Sequence, residues 1–158
     1  MTLQEIAQLD AAIQHVVSIF LRCPNIFLTE EDIRVHLCNK LLDHFGAEEQ
    51  THDGDCSIAL HTEVRWYGNG NMKTRSDIVL AEVSNLDVIR HRLLPSKGYG
   101  FNIPKAIIEL KLRRPNGDSN PRFLEAIAND LNKLRDLHQL FTGDRGDNMP
   151  ELRLIVFD

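Results

Sequence analysis

The sequence predicts a mixed α/β fold built on a single sheet. Three observations carry this. Apolar residues recur at helical spacing in two stretches before residue 46 and in one after residue 120; strand-like runs occupy 57–67, 75–83 and 105–112; and a last apolar run ends at Phe157. The predicted order is helix, helix, strand, strand, strand, helix, strand. At 158 residues, 1–158 is expected to be one domain, large enough to bury a core without covalent staples.

The first helix spans Thr2 to Phe20, with Leu3, Ile6, Leu9, Ile13, Val17 and Phe20 at spacings of three and four. Pro24 ends it, because a proline disfavours helical geometry in the residue before it. This segment is expected either to pack on the core or to form a dimer interface. Thr29 reads as the N-cap of a second helix, with Asp32 at the third helical position approximating a capping box. Ile33, Leu37, Leu41 and Phe45 form its stripe and Gly46 its stop. Glu30 falls one turn before Ile33 on that stripe, whereas Glu31 lines up with Val35, Cys38 and Leu42.

Glu48 to Asp55 is polar and loop-like. Ser57 to Tyr67 alternates, with Ile58, Leu60, Val64 and Trp66 assigned to one face. Gly68-Asn69-Gly70-Asn71 is a strong turn signal before the run Arg75 to Val83, so the two runs form a hairpin. Ser84 to Pro104 carries Arg90, Arg92 and Lys97; it is either a substrate-contacting loop or a surface insertion. The strand Lys105 to Leu112 follows. Pro121 starts a helix through Leu124, Ile127, Leu131, Leu134 and Leu137 that ends near Phe141, and Leu152 to Phe157 is the last strand.

No apolar run approaches a membrane span and no basic region with a hydrophobic block opens the chain, which points to a cytoplasmic protein. Cys23, Cys38 and Cys56 form no close CxxC pair, which argues against a disulfide framework or a cysteine-rich zinc site. The net charge is −5, but Arg65 to Arg122 carries a balance of +6 and the remainder −11. Local field, not net charge, attracts phosphate. Arg75, Lys97, Arg113 and Arg114, all in that basic third, are the candidate nucleic-acid contacts.

The chemistry centres on Lys105 to Leu112. Strand alternation puts Glu109 and Lys111 on one face of an otherwise apolar run. The preceding hairpin strand contributes Asp77, expected beside them. Two adjacent carboxylates stay ionised together only with a cation between them. Such an oxygen site suits Mg²⁺ or Mn²⁺, completed by water and substrate phosphate, with Lys111 holding or helping to deprotonate an attacking water.

Asp77 on the second strand of a hairpin, followed by Glu109-Leu110-Lys111 on the third strand, resembles the PD-(D/E)xK (restriction-endonuclease-like) nuclease superfamily. The resemblance implies a core of helix, three strands, helix and strand over 29–157, with 1–24 as an N-terminal helical addition. It implies a divalent-metal-dependent nuclease acting on DNA, with Asp77 and Glu109 on the metal and Lys111 on the water. A glutamate from the first core helix, Glu30 or Glu31, would add a ligand, and a homodimer would suit double-strand cleavage. Two departures stand out. Ser76 replaces the proline of the family's motif, and the connection from Val83 to Lys105 is long. The alternative is a nuclease-fold domain without catalysis that binds nucleic acid or protein. Glu63 is either a further ligand or a charge partner for Arg65 or Lys73. Asp130 and Lys133, at i and i+3 on the last helix, are expected to form an exposed ion pair, with phosphate contact by Lys133 the lesser reading.

Overall fold

A computed structural model describes residues 1–66, 74–88, 104–114, 116–117, 119–142 and 149–158. The first helix, α1 (Leu3–Arg22), opens on a capping box in which Thr2 and Glu5 satisfy each other's backbone N–H groups. It buries Leu9, Ala12, Ile13 and Val16 against the rest of the molecule, so it packs on the core. A single 3₁₀ turn, Pro24–Ile26, leads to α2 (Glu30–Phe45). Here the predicted box closes as expected: Thr29 N–H donates to Asp32 at 2.9 Å and Asp32 N–H donates to Thr29 at 3.2 Å. A further bond from Leu28 N–H helps hold the Asp32 carboxyl below its ordinary range. These bonds fix the first turn of α2, from which Glu30 projects. Gly46 caps the helix, and a Cβ there would come within 2.6 Å of the Leu42 carbonyl oxygen.

The polar stretch after α2 is more ordered than a plain loop. It forms a two-residue antiparallel pair, β1 (Glu49–Gln50) with β2 (Cys56–Ser57), closed by Thr51 and by Gly54 at φ +82°. The main sheet has β3 (Leu60–Arg65), β4 (Arg75–Ala81), β5 (Pro104–Leu112) and β6 (Glu151–Phe157) in that spatial order. The first three strands are antiparallel, and β6 runs parallel to β5 from Ala106↔Glu151 to Leu112↔Phe157. A parallel neighbour needs a crossover, and α3 (Asn120–Thr142) lies in it.

Two clusters of apolar side chains cover the two faces of the sheet. Ile78, Leu80, Ala106, Ile108 and Leu110 pack with α1 and α2; Val79, Ile107 and Trp66 pack with Leu134 and Leu137 of α3. The alternation within β5 is therefore as predicted. In β3 it is not. Leu60 belongs to the first cluster but Val64 and Trp66 to the second, because Glu63 adopts φ 56° and interrupts the strict two-residue repeat.

The register of α3 also differs from expectation. Leu124 and Leu131 are exposed, and the inward stripe is Phe123, Ile127, Asp130, Leu134, Leu137 and Phe141. An acid thus stands on the buried side of this helix. Among the described residues no helix is long and apolar enough to cross a membrane. The three cysteines are free, and burial pushes the Cys38 thiol up to about 11. The glycine-rich turn after Tyr67 and the basic stretch containing Lys97 lie outside the described residues.

Candidate active site

Strand β5 ends in the motif Glu109-Leu110-Lys111. Leu110 points into the core with α1 and α2, which sends its two polar neighbours to the opposite side of the strand. Glu109 is 1% exposed. The antiparallel ladder with β4 ends at Ile78↔Ile108, and the next available donor on β5, Leu110 N–H, is taken by the Asp77 carboxylate at 2.9 Å. Asp77 thus replaces a backbone partner where the two strands separate. Its charge is close enough to disfavour that of Glu109 and to favour that of Lys111.

From Glu109 an alternating chain of charges crosses to the start of α2. Lys133 donates to one Glu109 oxygen at 2.5 Å and to the Arg75 carbonyl at 3.0 Å. Lys133 also pairs with Asp130 at 3.3 Å, and Asp130 lies 3.1 Å from Lys111 Nζ. Lys111 Nζ lies 3.7 Å from Glu30, whose carboxylate accepts the Leu112 N–H at 3.2 Å. Glu109, Asp77, Asp130 and Glu30 oppose Lys133 and Lys111: four carboxylates to two ammonium groups.

The other Glu109 oxygen, Oε1, is buried and has no partner in hydrogen-bond geometry among the described residues, with the Ser76 hydroxyl its nearby polar group. Burial pushes the Glu109 carboxyl up from 4.5 to about 7. Lys133 pulls it back toward the charged form, Asp77 adds to the rise, and the nearby Ser76 hydroxyl eases it slightly. For Lys111, burial opposes the charge, but the carboxylates of Asp130, Glu30 and Asp77 outweigh it and hold the ammonium above its ordinary range. Lys111 is therefore a firmly protonated cation, which fits holding a water better than deprotonating one.

Ser76, which stands where the motif this sequence resembles has proline, has a structural role of its own. It is fully buried, and its hydroxyl accepts the indole N–H of Trp66 at 2.9 Å. A proline there would leave that donor without a partner.

Glu30 is in contact with Lys111, whereas Glu31 is exposed and pairs with Arg34 at 2.8 Å. Glu63 is a charge partner: among the described residues it binds Arg34 and, at 2.5 Å, Arg75 rather than Arg65, and Lys73 lies outside the described residues. Arg113 is fixed by Asp158 and Asn120, and Arg114 is exposed without an ion pair to a described residue. Lys97 lies outside the described residues. Asp130 and Lys133 are not the exposed pair expected of them, since packing of α3 on the sheet brings both against β5. The available signal was the position of Asp130 on the stripe that includes Leu134 and Leu137.

Among the described residues no group of three or more His, Cys, Asp or Glu side chains is arranged to hold a metal ion. Mg²⁺ asks for less, because it keeps several waters and commonly takes one or two protein carboxylates. The unpartnered Glu109 oxygen beside Asp77, and the excess of negative charge in the cluster, fit a divalent cation at that pair. No protein-family model matches this sequence, and no curated protein or solved structure is significantly similar to it.

Proposed function

We propose that this chain is a divalent-metal-dependent nuclease that hydrolyses phosphodiester bonds in DNA, in the manner implied by its resemblance to the PD-(D/E)xK superfamily. The observation that carries the proposal is the buried, unpartnered oxygen of Glu109 next to Asp77, one residue away in strand alternation from a charged lysine. Asp77 and Glu109 would hold Mg²⁺ or Mn²⁺. An ion bound there lowers the pKa of its water and offsets charge on the phosphoryl group.

This chain's own residues supply the rest. Lys111 orients the attacking water and faces the phosphoryl oxygens with a positive charge. Glu30 and Asp130 keep that ammonium protonated and in place. Lys133 is the counter-charge of Glu109, and its second bond, to the Arg75 carbonyl, would keep it in place if Glu109 held a metal ion. Glu31 and Glu63, occupied by Arg34, are assigned no ligand role.

The experiment is incubation of the pure protein with single- and double-stranded DNA in Mg²⁺ or Mn²⁺, beside Lys111→Ala. Metal-dependent cleavage that disappears in the variant is the expected result. Cleavage that survives the substitution, or none under any condition, contradicts the proposal. A second reading has one observation behind it: Glu109 and Lys111 already possess counter-charges in Lys133, Asp130 and Glu30. A nuclease-fold module without catalysis would keep that network permanently closed and bind no ion at Asp77.

A further inference from the structure

We infer that the cleft beyond the end of β5 binds one unpaired nucleotide of the substrate strand, with Arg114 on its phosphate and Phe20 and Leu21 against its base. This rests on the nuclease reading and names the form of substrate as a single strand or a frayed end.

The cleft has two connected parts. A cavity of about 610 Å³ lies between Phe20 and Leu21 at the end of α1, the buried Phe27 after the 3₁₀ turn, and the residues that follow β5, Arg113 and Arg114. A second, of about 370 Å³, shares Leu112, Arg113 and Arg114 with the first and reaches Glu30. Glu30 touches both Lys111 and the Leu112 N–H, so the cleft runs on from the charge cluster without a break in residues. A strand with its scissile phosphate at Lys111 has this cleft as its next surface.

The lining suits a nucleotide. Arg113 is taken up by Asp158 and Asn120, with its guanidinium 5.5 Å from the centre of the Phe123 ring, so it builds the wall and leaves Arg114 as the cation for the phosphate. Arg114 has no competing acid among the described residues. The apolar side is not sealed: Leu21 is 73% exposed at the cavity wall, and Leu28, beside Arg114 at the outer end, is 68% exposed. Apolar surface with cations at its margin is how proteins hold unpaired bases, by stacking and backbone neutralisation together. A paired base has no face free to enter such a cavity, which excludes continuous duplex here. The N-terminal addition thereby gains a role, since the last turn of α1 forms the wall that the sheet and α2 lack.

The test is equilibrium binding of a labelled oligonucleotide, as single strand and as blunt duplex, in EDTA so that no cleavage intervenes. Arg114→Glu and Leu21→Gln change exposed side chains, and the circular dichroism of each should match wild type. Wild type is expected to prefer the single strand. Arg114→Glu should weaken that binding about tenfold or more. Leu21→Gln, which changes no charge, should weaken the single strand and leave the duplex unaffected. Single-strand binding within about twofold of wild type in both variants, or equal losses for strand and duplex in Leu21→Gln, overturns the inference. So does tighter binding of a free deoxynucleoside monophosphate than of the strand. Cleavage that depends on Lys111, with both cleft variants binding normally, overturns the cleft alone. The cleft dependence in a protein that never cleaves overturns the nuclease reading alone.

Discussion

The two ends of β5 carry the same kinds of groups and treat them differently. At the start, Lys105 reaches Glu5 of α1 at 3.0 Å and Glu82 at 3.2 Å. Burial opposes both charges, yet the contacts win: the Glu5 carboxyl sits below its ordinary range and the Lys105 ammonium above its own. Each group is most stable in its charged form. At the far end Glu109 also has a lysine, but burial wins and its carboxyl rises to about 7. One oxygen accepts from Lys133, and the other has no partner in hydrogen-bond geometry among the described residues. The first end is a clasp between α1 and the sheet. The second holds a charge that the protein alone does not satisfy, and perturbed groups of that kind concentrate at functional sites.

The largest effect should come from Lys111→Ala. On the nuclease reading it lowers cleavage by about a thousandfold, measured as single-turnover rates, because a positioned cation contributes at that scale. Lys105→Ala at the other end should leave the rate unchanged. Next in size is Lys133→Met, which leaves Glu109 buried without its counter-charge. It should cost about 3 kcal/mol of stability at pH 8, and little near pH 4, where Glu109 is protonated with or without the lysine. Urea denaturation at the two pH values measures it.

The pH dependence of Glu109 has a definite sign. Its folded pKa is raised, so the folded protein holds the proton more tightly, and stability is lost as pH rises from 4.5 to about 7. Glu109→Gln removes that loss. The variant should gain on wild type over this window, by at most about 3 kcal/mol above pH 7, with Lys133 retained by Asp130 and the Arg75 carbonyl. A gap between the two proteins that stays constant from pH 4 to 8 would show that Glu109 is not strained by burial. The smallest effect belongs to the clasp. Lys105→Met should cost at most about 1 kcal/mol and show no such pH window near neutrality, as expected of a partly exposed ion pair.

Much of this architecture is legible in the sequence, because it follows from periodicity and caps. The Thr29 and Asp32 box, the alternation of Ile107 and Ile108, and the crossover helix after Pro121 all follow from local rules. Asp77 is expected beside Glu109 and Lys111, and the adjacency of β4 and β5 brings its carboxylate to the Leu110 N–H between them. The fault lines are non-local or conformational. No pattern announces that Glu63 turns to φ 56° and moves Val64 and Trp66 to the other face. Its partner, Arg34, lies 29 residues away on α2. Lys133 matters because α3 lies across β5, and helical spacing alone makes it a neighbour of Asp130 and nothing more. Glu30 and Glu31 differ by a turn of about 100° on one helix, and only the stripe that begins at Ile33 separates them.

Everything proposed for the site depends on Asp77 and Glu109 sharing a divalent cation. Calorimetric titration of Mn²⁺ into wild type, Asp77→Asn and Glu109→Gln tests this without reference to any substrate. Saturable binding of Mn²⁺ by the wild-type chain, lost in both variants, is the expected result. Wild-type protein that takes up no ion, or variants that bind as wild type does, would contradict it.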